Sequence, residues 1–184
     1  MAMTDAKEQQ RLIEQDLYNE LRWMLVAATE WHICDQTVTN TGPLPNLPNH
    51  FQVLAMDSAC VHIRSLYDFL IVNKTERADT AYASRDFNVT LAPTPLYKDY
   101  IDSINKRLMH IDTNRPAPRR QNGKQVKTDL NRKVLDLAQD VLSLWDDFLR
   151  EVPQFSKQLT KARTDAIDDA KRAADALGGV CPFI

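Results

Sequence analysis

From Leu130 to Val152 the apolar residues recur at steps of three and four: Leu130, Val134, Leu137, Val141, Leu144, Trp145, Phe148 and Val152. Pro153 closes the series. That period is the turn of an α-helix, so the stretch has one face to bury and needs other helices to bury it against. The same spacing runs through Ile13, Leu17, Leu21, Met24, Ala28 and Trp31 of a first helix, which starts at Thr4 and Asp5 and ends near Cys34. It returns in Tyr97, Ile101, Ile104, Leu108 and Ile111, in a helix opened by Pro95 and stopped by Pro116 and Pro118. A last stripe of Phe155, Leu159, Ala162, Ala166, Ala170, Ala173 and Leu177 begins at Gln154 and ends at Gly178 and Gly179. Alternating β-branched runs are scarce and the chain has only four glycines, which argues against a β-rich fold.

The run from about Asn49 to Asn73 is different in kind. Leu54, Ala55, Met56, Ala59, Cys60, Val61, Ile63, Leu66, Tyr67, Phe69, Leu70 and Ile71 point in nearly every direction, which predicts a central, largely buried helix. Asp57, Arg64 and Asp68 nevertheless fall on one stripe of it, at separations of seven and four. Buried charges require partners, so the stripe is expected to meet one another, water or a ligand. The expected fold is therefore all-α: an antiparallel bundle of four to five helices forming one domain over 1–184, with its core in 4–177. Long connections are expected near 35–49, 74–94 and 112–125, with a helical turn around Asp79 to Phe87.

At 184 residues and 43% apolar, the chain can bury one good core. No apolar run reaches the roughly 20 residues of a bilayer span, and the N-terminus is too polar for a secretory signal. Cys34, Cys60 and Cys181 are an odd number without metal-ligand spacing, which fits a reduced, cytoplasmic setting. The sequons at Asn73 and Asn88 then carry no meaning. No phosphate-cradling glycine loop, serine nucleophile motif or paired cysteine motif is present, so neither a metal nor a cofactor is expected.

Charge is segregated. Between Lys106 and Lys133 lie nine basic residues, including Lys106, Arg107, Arg115, Arg119 and Arg120, against Asp112 and Asp129 alone, a local formal charge of +7 in a chain of net charge −2. Such asymmetry suits an anionic partner such as RNA or a nucleotide phosphate; the plainer account is a solvated basic loop, or one that docks on an acidic protein. His110 follows Arg107 by three residues and Lys106 by four, so the three share a helical face. Nearby cations favour neutral imidazole, a base able to deprotonate a ribose 2′-hydroxyl while a guanidinium stabilises the charged phosphorane. The alternative is that His110 caps the negative end of its helix.

The stretch Ile104-Asn-Lys-Arg-Leu-Met-His-Ile-Asp-Thr-Asn-Arg-Pro116 resembles the end of a helix in HEPN-like proteins, in particular an uncharacterised bacterial group with an Asn-Lys-x-x-x-His segment before Arg-Pro. Ala59-Cys-Val-His-Ile-Arg-Ser-Leu-Tyr-Asp-Phe-Leu70, the pair Asp86-Phe87 and Leu144-Trp-Asp-Asp-Phe-Leu149 extend the likeness, as scattered short motifs, over roughly residues 10–152. The resemblance implies an all-α, commonly homodimeric domain; many such domains are metal-independent ribonucleases, and many others are non-catalytic binding or dimerisation modules. The family's catalytic signature is an arginine separated from a histidine by four to six residues. Here the corresponding positions hold Asn105, Ile104 and Ser103, and Arg107 is too close to His110. Two expectations stand side by side. In one, His110 and Arg107 act on RNA or a nucleotide phosphate held by Arg64, Lys106, Arg115, Arg119 and Arg120, while Asp57 and Asp68 orient Arg64. In the other, Arg64 and Asp68 are a buried structural pair in a non-enzymatic interaction module.

The remaining polar residues read as structural. His62 is expected to be a hydrogen-bonded core residue, His32 and His50 to be local, and Asp146 and Asp147 to be surface. Asp165, Asp168 and Asp169 interleave with Lys161, Arg163, Lys171 and Arg172, the pattern of a solvated helix face with local ion pairs.

Overall fold

The structure, a computed structural model, describes residues 5–40, 50–72, 81–109, 120–121, 124–125 and 129–184. For 37–40, 106–109, 120–121, 124–125 and 129 the description extends to the backbone only. The fold is all-α. In order come α1 (Ala6–Arg11), a π-helical segment (Leu12–Leu17), α2 (Tyr18–Asn40), α3 (Phe51–Ile71), the single turn α4 (Ala83–Asp86), α5 (Pro95–Met109), α6 (Asp129–Glu151), a 3-10 turn (Pro153–Phe155) and α7 (Ser156–Ala176). A two-residue antiparallel ladder pairs Arg120 with Gln125 and Gln121 with Lys124.

Local chemistry sets the helix ends. Asp5 caps α1, its Oδ1 accepting from the Lys7 amide at 2.8 Å, and the helical path then runs without a break into α2. Thr94 caps α5 by accepting from the Tyr97 amide at 3.0 Å, with Pro95 in the first turn where no amide is needed. Gly178 ends α7 at φ +69°, a conformation that costs other residues a Cβ clash. Its amide donates to Asp175 O at 3.1 Å and that of Gly179 to Ala174 O at 2.9 Å, the paired bonds of a Schellman stop.

Four long helices form the frame. α2 and α3 run antiparallel: His62 Nδ1 lies 2.8 Å from Glu20 Oε2, while further along α2 Asp35 accepts from Gln52 at 3.5 Å. α6 and α7 fold back on each other through the 3-10 turn, tied by Trp145 Nε1 donating to Leu159 O at 3.4 Å and by Arg163 against Asp146 at 2.8 Å. α2 and α7 lie against each other along a stripe of Ala162, Ala166, Ala170 and Ala174, all buried. Alanine adds little apolar area but lets the helices approach closely, so interlocking shape supplies much of that contact.

Two of the four helical stripes are buried throughout, as their spacing predicts, and the other two in part. All six residues of the first stripe and all eight of the Leu130–Val152 stripe are buried. In α7 the register drifts at the end, where Ala174 is buried and Ala173 and Leu177 are half-exposed. In α5, Ile104 is fully buried, Tyr97 and Ile101 are half-exposed, and Leu108 and Ile111 lie outside the described side chains. Phe87 completes an edge-to-face cluster with Phe69, Phe148 and Phe155, ring centroids 5.2–6.0 Å apart. The short α4 thereby plugs the junction of α3, α6 and the 3-10 turn, a geometry that adds to simple burial.

One polar expectation is overturned here. Asp169 does not lie on a solvated face: only 9% of the residue is exposed, and it reaches across to α2. Arg22 Nε sits 2.6 Å from Asp169 Oδ2, off the donor axis, so the contact is an ion pair more than an aligned hydrogen bond. The Tyr18 hydroxyl donates to the same oxygen at 3.2 Å, and Arg172 meets the other one. The alanine stripe explains the difference, because its small side chains bring the α7 backbone near enough for an aspartate to span the gap. Asp165 and Asp168 keep the predicted local pairs, with Lys161 and Lys171. Asp169→Asn is expected to cost about 1–3 kcal/mol in urea denaturation, because it removes charge from a largely desolvated acceptor of several donors. Asp168→Asn, one residue away, should stay within about 0.5 kcal/mol.

Candidate functional site

Among the residues expected to form a site, His110, Arg115 and Arg119 lie outside the described residues. Lys106 and Arg107 belong to the last turns of α5 and Arg120 to the short ladder, with their side chains outside the description. The structure thus describes the side chains of Arg64, Asp57 and Asp68. Arg64 and Asp68 are brought together, Nε 3.7 Å from Oδ2, as an i,i+4 ion pair. The pair is not buried: its side chains are 37% and 40% exposed. The expectation of a sequestered charged stripe is therefore corrected. Among the described elements α3 is covered by α2, α4, α6 and the start of α5, and the stripe through Asp57, Arg64 and Asp68 runs along its more open side, with Asp68 near Tyr97 of α5.

The same open side carries apolar residues. Leu54 is 57% exposed and Val61 46%, although both sit in a helix whose other apolar residues are mostly buried. Across the seam, Trp23 of α2 is 44% exposed. The Glu20–His62 contact fixes how the two helices face each other. At about 100° per residue, Trp23 is rotated about 60° back from Glu20, and Leu54 and Val61 lie about 80–100° back from His62. Because the helices run in opposite directions, both rotations open onto one side. Trp23, Leu54 and Val61 therefore share the outer face of the α2–α3 pair, with Glu30 on its α2 part and Asp57 and Asp68 on its α3 shoulder.

Elsewhere the ionisable residues fasten helices together. Tyr67 and Thr94 both donate to Asp140 Oδ2 at 2.6 Å, and the Tyr67 ring stands edge-on to Tyr97 at 5.2 Å, which joins α3, α5 and α6. Burial, then the Asp140 carboxylate, hold the Tyr67 hydroxyl far above its ordinary pKa, so it remains a donor. Asp86 is fully enclosed; it takes two bonds from Arg85, at 2.9 and 2.8 Å, and one from the Tyr82 amide at 2.9 Å. Gln9 of α1 donates to the Asp86 carbonyl, so α1 and α4 are stitched by the same residue. His62 is hydrogen-bonded as expected, at a partly exposed seam. A shallow groove of about 460 Å³ between the π-helical segment and α7 is lined by Glu14, Tyr18, Lys157, Lys161 and Asp165. Within it Lys161 pairs with Asp165, and Glu14 accepts a hydrogen bond from the neutral amide of Gln10. Among the described residues no group of three His, Cys, Asp or Glu side chains is placed to hold a metal ion, and no helix is long and apolar enough to cross a membrane.

No protein-family model matches this chain, and no curated protein or solved structure matches it either. The weight of a functional argument falls on its own surface. Trp23 was the residue least visible as a candidate in the sequence, yet its displacement from the Leu21, Met24, Ala28 stripe already places it outside the core. Leu54 and Val61 carry a comparable signal: they share the stripe of Asp57 and Asp68, whose charges mark the solvent side.

Glu30 supplies a test of this geometry. Burial holds its carboxyl above the ordinary value. A carboxylate raised in this way destabilises the fold while ionised, so the cost is present at neutral pH and disappears once the group is protonated in both folded and unfolded chains. Glu30→Gln is expected to raise the urea midpoint at pH 7 and to leave it unchanged near about pH 3.5. An equal gain at both values would assign the effect to packing.

Proposed function

We propose that this chain is a non-enzymatic helical interaction module whose binding surface is the outer face of the α2–α3 pair. The observation that carries the proposal is the gathering of Trp23, Leu54 and Val61, all more than 40% exposed, on one face beside the Arg64–Asp68 pair. Single exposed apolar residues are ordinary on a protein surface, whereas a shared face of them is typical of a contact site. The polar clusters among the described residues support the same reading, since Asp140 and Asp169 accept from residues of other elements and Asp86 from Tyr82 and Arg85 within its own turn. Three free, buried cysteines are consistent with a reducing, cytoplasmic setting.

A second reading is favoured by a different observation, the formal charge of +7 between Lys106 and Lys133. In it the chain, as its HEPN-like resemblance implies, is a homodimer that binds RNA or a nucleotide phosphate, with His110 as base, Arg107 beside it and Arg64 as an accessible cation. Incubation of the full chain with labelled RNA, with and without His110→Ala, separates the two. The module proposal expects intact RNA with both proteins; cleavage that His110→Ala abolishes would replace it with the ribonuclease reading. The proposal also requires that the exposed apolar residues serve a partner instead of the fold. Leu54→Gln and Val61→Gln, which add no charge, should then change stability by no more than about 0.5 kcal/mol. Ile63→Ala, on the buried side of the same helix, should cost about 2–5 kcal/mol.

A further inference from the structure

We draw no further inference here: the strongest candidate, the exposed apolar strip of Trp23, Leu54 and Val61 on the outer face of the α2–α3 pair, belongs to the site already described, and nothing in the structure shows what covers it.

Discussion

The structure depends on how α3 is enclosed. It is the most apolar of the long helices, and a helix apolar on nearly all sides is stable in water only where neighbours cover it. α2 covers one flank through the seam fixed by Glu20 and His62. α6 covers another, through Tyr67 on Asp140 and Phe69 on Phe148. The start of α5 reaches a third through Tyr97. What remains is a narrow strip, and Asp57, Arg64 and Asp68 occupy it together with Leu54 and Val61. Among the described elements α2, α4, α5 and α6 pack against α3 and leave this strip exposed, and charge in it keeps it wet.

The same need to satisfy charge explains three carboxylates, Asp86 and Asp169, which are buried, and Asp140, which is half-buried. Each accepts from more than one donor: Asp140 and Asp169 from residues of other elements, and Asp86 from Tyr82 and Arg85 within its own turn. An ionised group out of water is costly unless its lone pairs are filled, so each carboxylate imposes a geometry on the elements that supply its donors. Hydrophobic packing decides that α2, α3, α6 and α7 associate; these acceptors help decide at which height and rotation. The aspartates are specific in the structural sense, and that specificity leaves them little capacity for a ligand.

Much of this could be read from the chain alone, and the boundary of what could is physical. The stripes at Ile13–Trp31 and Leu130–Val152 are regular because each buries one face against the same kind of neighbour, and regular spacing survives projection onto one dimension. The stops at Pro153 and Gly178 are equally local, set by a ring and by a missing Cβ. Asp169 was unreadable because its partners, Tyr18 and Arg22, are about 150 residues distant, and its i,i+3 neighbour Arg172 offers a sufficient local explanation. The Arg64–Asp68 pair was readable as a pair but not as exposed. Sequence shows that a helix is apolar all round; it does not show how many helices arrive to cover it.

Trp23, Leu54 and Val61 are exposed on two long helices, whereas Val180 and Ile184 are exposed singly after the end of α7. Trp23, Leu54 and Val61 project from two helices, Leu54 from the first turn of α3, whose separation and rotation are set by buried contacts on the other side. A partner meeting them finds an arrangement already ordered, and the entropy of ordering it has been spent in folding. Preorganisation of this kind, more than apolar area, is what distinguishes the α2–α3 face from the rest of the surface.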